Sequence, residues 1–131
     1  MKLVIVMDTN DFVKVLNNAQ ELMRNEKYQE ALNILDKLKE ADKAGSFDYN
    51  LTHKLYQLIS NSQSLYNQQR VLRVLNKISN SLSSISFIDL KDLLKNQENL
   101  EIDESILRRE VEILILRSLV IAKVEGKNLI F

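Results

Sequence analysis

Residues 84–131 decide the fold of this chain, and they read SISFIDLKDLLKNQENLEIDESILRREVEILILRSLVIAKVEGKNLIF. The segment opens with polar and apolar residues in alternation at 84–87, which predicts a short strand. Apolar residues at helical spacing follow over residues 88–94, and the polar residues 96–99 end that helix. A short strand and then a helix are therefore predicted at the start of the segment.

The best-marked helix of the chain is predicted over residues 104–117. Asp103 precedes it as an N-cap, because its carboxylate can accept hydrogen bonds from backbone N–H groups of the first turn. Glu104 places negative charge where the helix dipole favours it, and Arg117 supplies a cation at the other end. The sequence therefore marks both ends of this helix.

A terminal β-hairpin is predicted after the helix. Residues 119–124 are rich in β-branched side chains and predict a strand. Residues 129–131 predict its partner, and Gly126 suits the first central position of a type II′ turn between them. Strand, helix, capped helix and terminal hairpin, in this order, predict a winged helix.

The residues before Ser84 predict four helices. The polar stretch at residues 61–64 separates the last two, where it either breaks the helix or lies on a solvated face. Gly45 lies in the clearest linker, at residues 43–46, and residues 3–6 predict either a short strand or a frayed start. The apolar stripes that mark the four helices cover residues 12–23, 28–38, 51–59 and 65–78.

The first predicted pair of helices resembles one tetratricopeptide-type repeat, over residues 12–44. Four residues lie near the signature spacing of that repeat: Leu22, Tyr28, Ala31 and Leu35. The predicted fold class is therefore mainly α. A tetratricopeptide-like bundle of helical repeats over residues 8–83 is followed by a winged-helix domain with a small terminal hairpin over residues 84–131, and the two are expected to pack as one unit.

Composition limits the class of protein. The chain has 18 basic and 18 acidic residues and no cysteine, which excludes disulfides and thiolate metal sites. No apolar run approaches the roughly 20 residues that span a bilayer, and no signal peptide is evident. We therefore expect a cytoplasmic protein that has no membrane partner.

The sequence offers no catalytic, cofactor-binding or metal-binding constellation. The one histidine, His53, lacks the orienting partner that a general base normally needs. Neither glycine belongs to a phosphate-binding loop. Glu110 and Glu112 point about 200° apart on a helix and cannot share a substrate. We expect no enzyme activity, no cofactor and no small-molecule substrate.

A winged helix that read DNA would place the helix at residues 104–117 in the major groove. Residues 84–131 hold seven basic and nine acidic side chains, whereas nucleic-acid binding draws most of its affinity from phosphate neutralisation. DNA binding is therefore disfavoured, and Arg108 and Arg109 are expected to pair with Glu104 and Glu112. The candidate nucleic-acid contacts are Arg108, Arg109, Lys123 and Lys127.

The same helix has apolar residues on two sides. Leu107, Val111 and Leu114 suffice for a stripe that faces the core, whereas Ile115 and Leu116 lie on the other side. Because a helix that is apolar on two sides is normally buried on both, we expect Ile115 and Leu116 to be covered as well. The cover is either the preceding pair of helices or a partner chain.

The last strand, at residues 129–131, has two interpretations. Alternation turns Leu129 and Phe131 towards the core and leaves Ile130 outward. Alternatively, the strand is an open sheet edge that receives a second module by strand addition. The candidate interface therefore consists of Ile115, Leu116, Leu129, Ile130 and Phe131.

Helical repeats that lead into a C-terminal winged helix resemble the PCI domain of the proteasome lid, the COP9 signalosome and a translation initiation factor. Residues 85–94 resemble the opening of that family's winged helix, and residues 111–124 with the following turn resemble its closing helix and hairpin. The resemblance implies a non-catalytic scaffold or adaptor that assembles through its winged helix, with itself or with a protein partner. The alternative is a winged-helix transcription regulator whose N-terminal helices dimerise or sense.

Overall fold

The computed structural model describes residues 7–45 and 47–131 of the chain. In this part the protein has five α-helices and a three-stranded antiparallel sheet, which confirms the mainly helical class. The predicted strand or frayed start at residues 3–6 lies outside the described residues. The elements are α1 (Thr9–Arg24), α2 (Tyr28–Ala44), α3 (Tyr49–Ile78), β1 (Ser84–Ser86), α4 (Phe87–Glu98), α5 (Glu104–Leu116), β2 (Lys123–Glu125) and β3 (Asn128–Ile130).

The chain divides into two compact units, and the division falls inside α3, between Tyr66 and Asn67. The first unit contains α1, α2 and the first part of α3. The second contains the rest of α3 and all later elements. The predicted domain limits of 8–83 and 84–131, and the packing of those domains as one unit, stay predictions.

The first unit is built on α1 and α2, which pack against each other. Asp8 caps α1, because its carboxylate accepts a hydrogen bond from the backbone N–H of Asp11 at 2.8 Å. The apolar stripes predicted for these helices form the core of the unit. Its buried side chains are Phe12, Leu16, Ala19, Leu35, Leu38, Leu55 and Leu58.

The prediction of four helices before Ser84 is wrong, because α3 is continuous over Tyr49–Ile78. The polar residues 61–64 lie inside this helix and do not break it. Asn61 and Gln63 are exposed, as the alternative of a solvated face predicts, whereas Ser62 is fully buried. A serine or asparagine in a helix costs only about 0.5 kcal/mol relative to alanine. Four such residues therefore do not interrupt a helix whose apolar stripe continues on both sides of them.

The second unit contains the predicted order of strand, helix, capped helix and terminal hairpin. The sheet order is β1-β3-β2 with antiparallel pairing throughout. Ser86 caps α4 by accepting the backbone N–H of Asp89 at 3.1 Å. The buried apolar side chains of this unit come from its helices, from the sheet and from the loop between α4 and α5: Val71, Val74, Leu75, Ile85, Phe87, Leu90, Leu94, Leu100, Ile102, Leu107, Val111, Leu114 and Leu129.

The last strand, β3, is the central strand of the sheet, so its interpretation as an open edge is wrong. Leu129 is paired with Ile85 of β1 on one side and with Val124 of β2 on the other. The pairing continues beyond the strand, because the N–H of Phe131 donates to the C=O of Ser83 at 2.9 Å. Within the described residues the outer strands of the sheet are β1 and β2.

Two details of the C-terminal elements differ from their predictions. Asp103 lies at the N-cap of α5, but its carboxylate accepts the hydroxyl of Ser105 at 3.2 Å and no backbone N–H of the first turn. The strand predicted over residues 119–124 is confined to Lys123–Glu125, because Ser118 adopts φ +60° and reverses the chain after α5. Residues 119–122 are therefore a connecting segment and not a strand.

The predicted hairpin turn is confirmed. Glu125 is paired with Asn128, which leaves Gly126 and Lys127 as the two turn residues. Gly126 has φ +59° and Lys127 has no positive φ, which is the backbone pattern of a type II′ turn. A side chain is strained in the first of these conformations, whereas glycine is not.

We predict that Gly126→Ala lowers the free energy of unfolding by about 1 kcal/mol, through backbone strain at positive φ. A Cβ at this position has no heavy atom within 4 Å, so steric crowding adds nothing. Urea unfolding measures the difference, and Gly126→Asn should lose less because asparagine tolerates such turns better. An alanine variant as stable as the parent would contradict the positive φ.

Candidate interaction surface

The helix α5 buries one stripe of its surface and exposes the opposite one. Leu107, Val111 and Leu114 are all at most 1% exposed, as predicted. Glu110 is buried with them, whereas the Glu112 side chain is 54% exposed. The two carboxylates therefore lie on different sides of the helix, which agrees with their predicted separation.

A buried hydrogen-bond network joins α5 to the last part of α3. The Nε2 of Gln68 donates to Oε2 of Glu110 at 2.8 Å, and Nη1 of Arg117 donates to Oε1 of Gln68 at 2.7 Å. Arg109 donates to the other oxygen of Glu110 at 2.9 and 3.2 Å. The Gln68 amide therefore donates through its nitrogen to Glu110 and accepts through its oxygen from Arg117. These two bonds hold the middle and the end of α5 in place.

The chain reverses directly after α5. The N–H of Ser118 donates to the C=O of Ile115, and the N–H of Leu119 donates to the C=O of Leu114, both at 3.0 Å. The second of these bonds and the positive φ of Ser118 are typical of a Schellman-type helix end. Residues 119–122 therefore turn back towards the C-terminal end of α5.

Three large apolar side chains are exposed around this reversal. Leu116 is 83% exposed, Leu119 is 44% exposed and Ile121 is 95% exposed. Together they leave a little more than two whole side chains in water. Covering them would gain roughly 3–7 kcal/mol, at about 1.5–3 kcal/mol for each fully buried side chain. Leu116 is therefore not covered by its own unit, and its expected cover by the preceding pair of helices or by a partner chain stays a prediction.

A groove of ≈ 400 Å³ lies between the end of α5 and β2. Its walls are mainly apolar, with one acidic and one basic side chain at the rim. Its lining residues are Glu112, Ile115, Leu116, Ala122, Lys123 and Val124. We call this groove, together with the exposed Leu119 and Ile121, the α5–β2 surface.

The predicted interface residues divide between this surface and the sheet. Ile115 and Leu116 line the groove. Leu129 is fully buried and offers no area to a partner, while Ile130 and Phe131 are partly buried. Two of the five predicted interface residues therefore line the groove and the other three lie in or beside β3, and their role in an interface stays a prediction.

Leu119 and Ile121 were not selected from the sequence, because residues 119–124 were assigned to a strand. One signal was available. The run Leu-Val-Ile-Ala at 119–122 is apolar at every position, so it lacks the alternation of a strand with one solvated face. A run of this kind must be buried on both faces or must leave apolar side chains in water, and here it leaves two of them in water.

Among the predicted nucleic-acid contacts, Arg108 is engaged inside the second unit. Its guanidinium donates to the C=O of Gly126 and lies 5.1 Å from the centre of the Phe87 ring. It also pairs with Glu112 at 3.8 Å, which is the expected helical spacing. Arg108 therefore links the hairpin turn to α5. A bound phosphate would have to compete with these contacts.

The other three candidates differ in their surroundings. Arg109 pairs with the adjacent Glu110 at 2.9 Å and not with a residue one turn away, so that part of the expected pairing is wrong. Lys123 and Lys127 are exposed on the hairpin. Of the four candidates, the two arginines thus have partners within the second unit and the two lysines are exposed.

Other classes of site gain no support from the described residues. His53 is exposed and stacks on Tyr49, with ring centres 6.1 Å apart. Among residues 7–45 and 47–131, no group of histidine and acidic side chains is arranged to hold a metal ion. In the same residues, every helix is too short or too polar to cross a bilayer.

No family model, curated protein or solved structure matches this chain. The resemblances to the tetratricopeptide repeat and to the PCI domain therefore stay predictions.

We predict that Glu110→Ala lowers the free energy of unfolding by about 1–3 kcal/mol, because the buried Gln68 amide loses its acceptor. The loss stays below that of a fully buried ion pair, because the side chain of Arg109 is 61% exposed and remains solvated. Glu112→Ala on the same helix is the matched control and should change the stability by at most about 0.5 kcal/mol. Equal losses in chemical denaturation would contradict the structural role of Glu110.

Proposed function

We propose that this chain is a non-catalytic protein–protein interaction module, a scaffold or adaptor of PCI-like type that assembles through a winged helix. The α5–β2 surface is the observation that carries the proposal. Leu116 and Ile121 are each more than four-fifths exposed beside a groove with apolar walls. Exposed apolar area of this kind, rimmed by charge, is typical of sites that bind other proteins. A cytoplasmic location is part of the proposal.

The arrangement of the second unit supports its interpretation as a winged helix. Strand β1 precedes α4 and α5, and the hairpin of β2 and β3 follows them. The sheet order β1-β3-β2 places the first strand beside the last, so the hairpin is anchored to the body of the unit. In this interpretation α5 is the recognition helix, and Gly126 lies at the tip of the wing.

The chemistry of the surface favours a protein partner. Its apolar members supply binding free energy by leaving water. Glu112 and Lys123 at the rim supply charges that fix the orientation of a partner. The surface surrounds a helix end that Gln68, Glu110 and Arg117 hold in place, so it is ordered before binding and the cost of association is lower.

The alternative of a DNA-binding regulator has weaker support. Arg108, at the centre of the recognition helix, contacts Gly126 and Phe87 within its own unit. The carboxylates of Glu110 and Glu112 lie near the arginines and oppose phosphate binding. The exposed Lys123 and Lys127 are the remaining support for this alternative.

We predict that the double variant Leu116→Ser, Ile121→Ser loses association with the protein's partner while its fold is retained. The affinity should fall by at least tenfold, because two side chains of roughly 1.5–3 kcal/mol each no longer leave water on binding. The measurement is affinity capture from cells of the source organism, followed by titration of the purified partner. The free energy of unfolding should change little, because both residues are exposed.

The matched control for this experiment is Ile88→Ser on α4. Ile88 is 56% exposed and lies outside the α5–β2 surface. Its substitution removes similar apolar area and should leave partner binding unchanged. The proposal fails if the double variant and the parent bind the partner equally well, or if both bind only chromosomal DNA.

We predict that binding to duplex DNA is weak and shows no preference for sequence. A specific DNA binder holds its site about 10³–10⁷ times more tightly than other DNA, and its affinity falls steeply as salt is raised. Fluorescence anisotropy with several duplexes across a salt series measures both properties. A large difference in affinity between DNA sequences, reduced by Lys123→Ala and Lys127→Ala, would favour the transcription regulator instead.

A further inference from the structure

The outer edge of β2 carries two charges of opposite sign. Lys123 and Glu125 flank Val124 and are both exposed. Their cross-strand neighbours on β3 are Ile130 and Asn128, which are uncharged. Neither Lys123 nor Glu125 has an ion-pair partner within the part of the chain that the structure describes. A strand at the edge of the sheet thus presents two unpaired charges.

The pairing of β2 with β3 determines which face each side chain occupies. Val124 is paired with Leu129, which is fully buried, so Val124 lies on the inner face beside the groove. Successive side chains of a strand point to opposite faces. Lys123 and Glu125 therefore leave the strand on the face opposite Val124, and Lys123 also contributes to the lining of the groove.

The backbone of Val124 is the part of β2 that is available for further pairing. In a two-residue hairpin the residues that flank the turn, here Glu125 and Asn128, exchange backbone hydrogen bonds. The N–H and C=O groups alternate in direction along a strand. We therefore expect those of Val124 to point away from β3, towards the outer edge.

We propose that a second copy of this chain adds to β2, with the two strands antiparallel about a two-fold axis at Val124. Each Val124 then exchanges two backbone hydrogen bonds with the partner's Val124. Lys123 lies opposite the partner's Glu125, and the symmetry repeats this ion pair. The inference rests on the proposed function, because it names the partner of the α5–β2 surface as a second copy.

The order of charges selects this arrangement over others. Lys123-Val124-Glu125 is complementary to itself only when two copies run antiparallel, since a parallel pair would place like charges opposite each other. The groove lined by Leu116 and Val124 adjoins the same edge, so the exposed apolar side chains lie close to the second copy. A short edge strand that carries a lysine can also prevent another strand from adding to the sheet. The following experiment distinguishes a strand that pairs with a second copy from one that prevents pairing.

The test reverses one charge at a time and follows self-association by sedimentation velocity over a range of concentrations. Lys123→Glu places two glutamates opposite each other at both ion pairs, and Glu125→Lys places two lysines there. Each variant alone should weaken the dimer by roughly tenfold or more, because like charges opposite each other destabilise a sheet. The double variant Lys123→Glu, Glu125→Lys should dimerise like the parent.

Mixing the two single variants is the decisive step. In a mixed dimer each glutamate of one chain faces a lysine of the other, so both ion pairs are restored. The mixture should therefore associate about as tightly as the parent, although each component alone does not. Lys127→Glu makes the same charge change as Lys123→Glu in the turn, outside the pairing register, and should leave dimerisation unchanged.

Two results overturn the inference. The first is a parent protein that stays monomeric up to millimolar concentration. The second is a mixture of the single variants that associates no better than either variant alone. Both leave the proposed function open to its own test, because the double variant Leu116→Ser, Ile121→Ser can still lose a different protein partner. If the charge variants leave self-association unchanged and the double serine variant leaves partner binding unchanged, both proposals are rejected.

Discussion

A carboxylate buried away from water must be met by hydrogen-bond donors, and the second unit is organised around one such group. Glu110 is fully buried on α5, and its oxygens accept hydrogen bonds from Gln68 on α3 and from the neighbouring Arg109. Because an unsatisfied buried charge costs several kcal/mol, α5 cannot rotate or slide without losing these partners. Gln68 extends the constraint to Arg117 at the helix end. The positions of the chain reversal and of the hairpin follow from that end.

The α5–β2 surface is the consequence of this constraint. With Leu107, Val111 and Leu114 turned into the core, the last turn of α5 leaves Leu116 in water. Ser118 then reverses the chain by adopting a positive φ that non-glycine residues rarely take. A residue held in such a conformation costs stability, and three exposed apolar side chains add no stability by burial. Retaining them at one place favours a surface that is completed by a partner.

Part of the local structure could be predicted from the sequence, whereas the long-range pairing of the sheet could not. The buried stripe of α5 and the type II′ turn at Gly126 each depend on residues close together in the chain. The central place of β3 depends on its pairing with β1, which lies more than forty residues earlier. No local pattern encodes that partner, so the last strand was mistaken for an open edge. The continuity of α3 was missed because weak helix propensities were read as a break.

The same distinction explains the prediction of the candidate surface. Ile115 and Leu116 could be proposed as interface residues because helical periodicity shows which residues fall outside a core stripe. Leu119 and Ile121 were missed because the reversal at Ser118 gives no signal that periodicity detects. The most direct test of the account is a methyl NMR titration with the partner or, for self-association, with rising protein concentration. The account predicts shifts of Leu116, Leu119 and Ile121 methyl groups with Ile88 unaffected, and shifts confined to Ile88 or to α1 and α2 would contradict it.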